Sequence, residues 1–158
     1  MHEKQALVEN AAKMVHGAKI LGLPILCTEQ NPRGLGHTVP EISELLPDTK
    51  PISKINFSCC GEPRFVEQFL KLNRKQVLLC GAESHVCVYQ TASDLIDLGR
   101  EVHVITDAVS SRTLANKNIG LGRCKELGAS LTSAETALFE LLKVAEGDKF
   151  KQMLKVVK

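Results

Sequence analysis

The stretch Leu78-Leu79-Cys80-Gly81-Ala82-Glu83-Ser84-His85-Val86-Cys87-Val88 reads as a buried apolar strand that stops at a glycine, turns, and restarts as a helix. Cys87 falls in the first turn of that helix. A thiol there faces unpaired backbone N–H groups and the positive end of the helix dipole. Both favour thiolate over thiol, and the thiolate is the nucleophile. A free cysteine has a pKa of ~8.5 and is mostly protonated at neutral pH, so any lowering multiplies the reactive fraction. Taken alone, the same position also suits a small buried hydrophobe, and that alternative stays open at this point.

The other candidate residues are weaker. The remaining cysteines, at 27, 59, 60, 80 and 124, form no Cys-x-x-Cys pair, and the histidines at 2, 16, 37, 85 and 103 form no ligand cluster. No metal and no cofactor is expected from such spacing. The vicinal Cys59-Cys60 pair reads as incidental. Gly34 and Gly36 suit a tight loop better than a phosphate cradle, because no strand leads directly into them.

These residues must be held by regular elements. An apolar stripe at helical spacing covers residues 3–21 and stops at Gly22. Pro24 to Thr28 reads as a short strand, followed by a glycine- and proline-rich loop from Glu29 to Pro40. Glu41 to Leu46 has room for a helical turn or two, and Pro51 to Lys54 for a short strand. Helices are predicted over 62–73, 85–98 and 112–127, and strands over 76–80, 101–106 and 129–132. Thr132 and Glu135 have the spacing of a capping box for a helix running to Val144. A last amphipathic segment spans Asp148 to Val157.

Strands separated by helices of this length imply parallel crossovers, hence an α/β fold with helices on both faces of one sheet. Such folds carry their sites at the carboxyl ends of the strands. Glu29, Lys54, Cys87 and Asp107 are therefore expected on one rim. Asp107, just before a helix start, suits a turn or capping carboxylate better than a general base. His85 is assigned to the surface, and Ser84 on its own suits an N-cap. The chain opens with a helix, whereas every later helix but the terminal one follows a strand.

The 158 residues are close to the modal size of one domain. A net charge of +2 gives no basis for binding nucleic acid or an anionic membrane, and the absence of Trp with a single Tyr removes base-stacking platforms. No apolar run approaches the ~20 residues of a membrane span. Without a secretory leader the six thiols read as reduced, which points to a cytoplasmic setting.

Four motifs occur in order: Thr28-Glu29-Gln30-Asn31-Pro32-Arg33-Gly34-Leu35-Gly36, Lys54-Ile55-Asn56-Phe57-Ser58, Gly81-x-x-Ser84-x-x-Cys87-Val88, and Asp107-Ala108-Val109-Ser110-Ser111-Arg112. With them the chain resembles the isochorismatase-like cysteine hydrolases, over essentially its whole length. The likeness extends to the branch of uncharacterised bacterial hydrolases and animal isochorismatase-domain proteins. The resemblance implies a three-layer α/β/α sandwich on a doubly wound, Rossmann-like parallel sheet, in a homo-oligomer (dimer or tetramer). It implies an Asp-Lys-Cys triad acting on amides and related small molecules. Cys87 matches the nucleophile and Lys54 the lysine. It also implies a cis peptide between Ala82 and Glu83, with the N–H groups of Glu83 and Cys87 forming the oxyanion hole. Gln30, Phe57 and Ser84 are the residues expected to reach substrate. The metal-binding pattern of nicotinamidase relatives is reduced here to a lone His37.

The sequence departs from the family at its front. The triad aspartate belongs to an opening strand that is central in the family's sheet, between the strands expected at 24–28 and 77–80. No residue here matches it, so the expectation is a single isochorismatase-like domain over 1–158, N-terminally truncated, with its first central strand missing. The function expected is a cysteine-nucleophile hydrolase of a small amide or related molecule, impaired by loss of that aspartate. The alternative is a catalytically inactive member serving as an oligomeric interaction protein.

Overall fold

A computed structural model describes residues 1–158 and contains five strands, all paired in parallel. The longest is β4 (Glu101–Ser110), whose β-branched run is buried on both faces. Its Val104 and Ile105 are each fully buried, yet they belong to different hydrophobic clusters. Alternation along a strand sends successive side chains to opposite faces, so this pair marks the two sides of the sheet.

One side is covered by α4 (Pro63–Leu72), α5 (Tyr89–Asp97) and α6 (Leu114–Glu126), which contribute Phe65, Phe69, Ala92, Leu95 and Cys124. The other is covered by α1 (Lys4–Leu21), α7 (Ala134–Leu142) and α8 (Gly147–Val157), through Met14, Ala137, Leu138 and Met153. The expected α/β/α layering is thus present. Single turns at Pro32–Leu35 (α2) and Pro40–Ser43 (α3) interrupt the long loop that precedes β2.

The strands fall into two sheets. β1 (Thr28–Gln30) pairs with β2 (Ile52–Lys54), while β3 (Gln76–Ala82), β4 and β5 (Ser130–Thr132) form the order β3-β4-β5. No ladder joins β1 to β3. Dense protein surroundings, with a smaller contribution from Cys27 just before β1, push the Cys80 thiol up to about 11.

Four local expectations are corrected. The strand predicted at 24–28 pairs only over Thr28–Gln30, because Pro51 on the neighbouring strand has no N–H and the ladder begins at Ile52, which donates to Cys27 O at 2.8 Å. The strand predicted at 101–106 runs on to Ser110. A bulge shifts the register between Leu79↔Val104 and Gly81↔Val109, adding residues to β4. The helix predicted from His85 begins as a π-turn over Ser84–Val88 and becomes α-helical only at Tyr89. Finally, Ser133 rather than Thr132 caps α7, accepting from Thr136 N at 3.2 Å. A Ser or Thr side chain reaches the N–H three residues ahead, and Ser133 holds that place relative to the first helical turn.

Candidate active site

Cys87 lies in the π-turn that links β3 to α5, and it is half-buried with a free thiol. Gly81, at φ +117°, ends the apolar run in a conformation that favours glycine, and the Ala82–Glu83 peptide is cis, as the resemblance implies. Glu83 O accepts from both Val86 N and Val88 N, at 3.1 and 3.2 Å, which closes the wide turn around Cys87.

The turn is anchored outward by side chains. Ser84 is fully buried, and its hydroxyl lies 2.6 Å from that of Ser111. It therefore faces the end of β4 and not an open pocket, and it makes no cap bond to the following helix. His85, assigned to the surface from sequence, places Nδ1 2.9 Å from the Ser111 hydroxyl. The Glu83 carboxylate pairs with Arg112 at 3.2 Å and approaches His85 at 3.6 Å.

Lys54 ends β2 and is only 4% exposed. The register pairs it with Gln30, and the two side chains share a face, while Glu29 is turned to the other. Lys54 Nζ donates to Gln30 Oε1 at 2.5 Å, Asn56 O at 3.0 Å and Phe57 O at 2.8 Å. Gln30 Nε2 in turn donates to Ile55 O at 2.6 Å. The ammonium is thus caged by three neutral oxygens, with no carboxylate in contact and no hydrogen bond to Cys87. Phe57 itself is 55% exposed.

The loop that cages Lys54 is tied to the helix that follows Cys87. Ser58 donates to Asp94 Oδ2 at 2.5 Å, and Cys59 N donates to the buried Thr91 hydroxyl at 2.9 Å. These bonds tie the loop that follows Lys54 to α5, the helix that continues from the Cys87 turn.

Two residues expected on the shared rim are engaged elsewhere. Glu29 is buried and accepts from His37 Nδ1 at 3.0 Å and from Thr38 N and Oγ1 at 2.8 Å. Burial alone would raise its carboxyl, but those bonds outweigh it and hold the group below the usual range. Asp107, in the bulge of β4, accepts from Ala134 N at 2.9 Å and so supports the start of α7, a capping duty on a helix other than the adjacent one. Two clefts of about 240 and 230 Å³ flank Cys27, and neither is lined by Cys87 or Lys54.

Sequence reasoning assigned no site role to Ser111, Thr91, Asp94 or Gly120. Only Gly120 carried a signal: a glycine inside a helix marks a close approach. A Cβ there would lie 2.4 Å from the Ser84 carbonyl carbon and 2.5 Å from His85 N, so α6 packs directly on the backbone of the Cys87 turn.

The family model for the isochorismatase domain matches residues 1–136. This chain belongs to the isochorismatase family. The secreted isochorismatase effector Isc1 of Phytophthora sojae is 44% identical over 158 residues, covering 96% of this chain and 74% of the effector. The structure titled MAR1 ribonuclease from Caenorhabditis elegans matches with a TM-score of 0.92 and 37% identity, covering 98% of this chain and 80% of that one. The Escherichia coli YcaC product, described as an octameric hydrolase of unknown specificity, matches at TM-score 0.91 and 25% identity, over 98% of this chain and 76% of YcaC. The resemblance read from the motifs therefore holds, as does the fold class. Family membership makes the chain a hydrolase by resemblance, and no helix of it is long and apolar enough to cross a membrane.

Proposed function

We propose that the chain is a cysteine-nucleophile hydrolase of a small amide or related small molecule. The thiolate of Cys87 attacks the acyl carbon, and the amide C–N bond breaks as the leaving nitrogen takes a proton from solvent and departs as the amine. Water then cleaves the thioester to a carboxylic acid. Lys54 supplies positive charge near the thiolate, and the N–H groups of Glu83 and Cys87 receive the oxyanion. Gln30 and Phe57 border the substrate; Ser84, fully buried, serves the turn.

The observation that carries this reading is the state of Lys54. A buried ammonium held only by neutral oxygens lacks the counter-charge that burial ordinarily demands. Lys54 ends β2, one strand over from the unpaired edge of β1, and a carboxylate on a strand added at that edge would supply the missing counter-charge. We infer that residues 1–158 form one domain and that the active form adds such a strand to it. We also infer a homo-oligomer, dimer or tetramer, in keeping with the exposed apolar side chains of Leu35, Ile55 and Phe57. The six unpaired thiols favour a cytoplasmic setting.

The test is ammonia release from a panel of small amides, by this chain and by a version extended upstream with a strand carrying an aspartate. The extended version is expected to turn over ~10²–10⁴-fold faster, the usual worth of a positioned acid–base group. Cys87→Ala is expected to abolish release. Equal turnover by both versions refutes the role of the added strand, and unchanged release by Cys87→Ala refutes the nucleophile.

A further inference from the structure

We propose that Ser111 is a positioning residue for Cys87, an inference that rests on the reading of Cys87 as nucleophile. Ser111 stands one residue past the end of β4 and is fully buried. Its hydroxyl is shared between Ser84 Oγ at 2.6 Å and His85 Nδ1 at 2.9 Å, the first two residues of the π-turn that carries Cys87. Its own backbone is fixed in turn: His2 N donates to Ser111 O at 2.8 Å, and the neighbouring Ser110 hydroxyl donates to His2 O at 2.6 Å.

One arrangement of protons satisfies every member of this chain of bonds. Ser84 donates to Ser111, and Ser111 donates to Nδ1 of His85. The reverse arrangement leaves the Ser84 hydroxyl hydrogen without an acceptor inside the protein, which burial penalises. Serine, histidine and glutamate side by side do not here make a second nucleophilic site. Ser111 has no exposed surface, and Glu83 approaches the same Nδ1 that Ser111 already occupies.

What the arrangement does is hold the turn from one side while α6 backs it from the other. At Gly120 an added Cβ would strike Ser84 and His85 backbone atoms at 2.4–2.6 Å, so the turn cannot retreat that way. Without the Ser111 hydroxyl, the front of the turn loses both side-chain bonds at once, and the sulfur two or three residues on is free to shift. Misplacement of a reacting atom by about 1 Å costs on the order of 10²-fold in rate.

The experiment is iodoacetamide alkylation of the full chain near neutral pH, followed residue by residue through peptide mass spectrometry, with thermal unfolding as the check on folding. Cys80 is the internal reference, being solvent-exposed and outside the turn. In Ser111→Ala the Cys87 sulfur is expected to leave the amide-rich turn that favours its thiolate, so its rate falls about tenfold or more while Cys80 is unchanged, and Ser111→Thr, which restores a hydroxyl, is expected to recover most of the loss. Ser84→Ala, which cuts one of the two bonds, serves if Ser111→Ala does not fold, and is expected to slow Cys87 by a smaller factor. A Cys87 rate in folded Ser111→Ala equal to wild type, an equal fall at Cys80, or a folded Ser111→Thr as slow as Ser111→Ala each overturns the inference. A wild-type Cys87 no faster than Cys80 instead overturns the nucleophile reading itself.

Discussion

Gly120 of α6 sits against Ser84 so closely that a methyl group on its Cα would fall 2.4 Å from the Ser84 carbonyl carbon. The obstructing atoms belong to backbone, so no side chain can swing aside to make room.

Gly120→Ala therefore sets two effects against each other. Alanine in a helix interior gains about 1 kcal/mol over glycine. Forcing a methyl into packed backbone costs about 1–3 kcal/mol, and the turn must move for the helix to stay. The expected outcome is net destabilisation in urea unfolding, together with slower alkylation of Cys87. A variant as stable as wild type with unchanged Cys87 labelling would show that α6 does not back the turn.

Glu29 gives the chain an acid-sensitive contact. Its folded carboxyl titrates below the unfolded value, so the folded state binds fewer protons there as pH falls past the ordinary carboxylate range of ~4.3. The stability it contributes is fully present above that value and is lost as pH descends through the lower, folded one. Wild type should exceed Glu29→Gln by about 1–3 kcal/mol near neutrality, the gap closing below ~pH 4. Urea midpoints of the two proteins across that range are the measurement. A gap independent of pH would remove the carboxylate from the account.

Thr132→Val should stabilise. The Thr132 hydroxyl is buried without a hydrogen-bond partner, although its carbonyl accepts from Thr106 Oγ1 at 3.0 Å. Valine keeps the shape and the β-branched fit to β5 while removing the unsatisfied group. A gain of about 1 kcal/mol is expected in thermal or urea unfolding. A loss would mean that the hydroxyl has a partner after all.

The strand-turn-helix around Cys87 was legible because an apolar run, a glycine and a return to helical spacing are all local. The π-turn was not, since its extra residue per turn leaves no mark on an apolar pattern as short as His85–Val88. β4 was read four residues short because Asp107 resembles a strand end, whereas the bulge lets the chain pass it and pair again at Val109 and Ser110. The family motifs identified Lys54, but its cage of Asn56 and Phe57 carbonyls depends on backbone direction in a loop, which residue types do not encode. Ser111 lay within a quoted motif and still went unassigned, because its partners Ser84 and His85 are more than twenty-five residues away. The absence of a ladder between β1 and β3 falls where the family's opening strand was expected.

That interruption has a bearing on how the molecule behaves in company. β1 and β3 each present a row of amides and carbonyls with no neighbour, and β3 meets solvent through Cys80 and Ala82 without a lysine or proline to discourage visitors. Natural sheets guard such rows because any extended chain can dock on them, whether a correct complement or an unrelated one. On these two edges a docked strand would gain a ladder of hydrogen bonds that the chain itself leaves unmade.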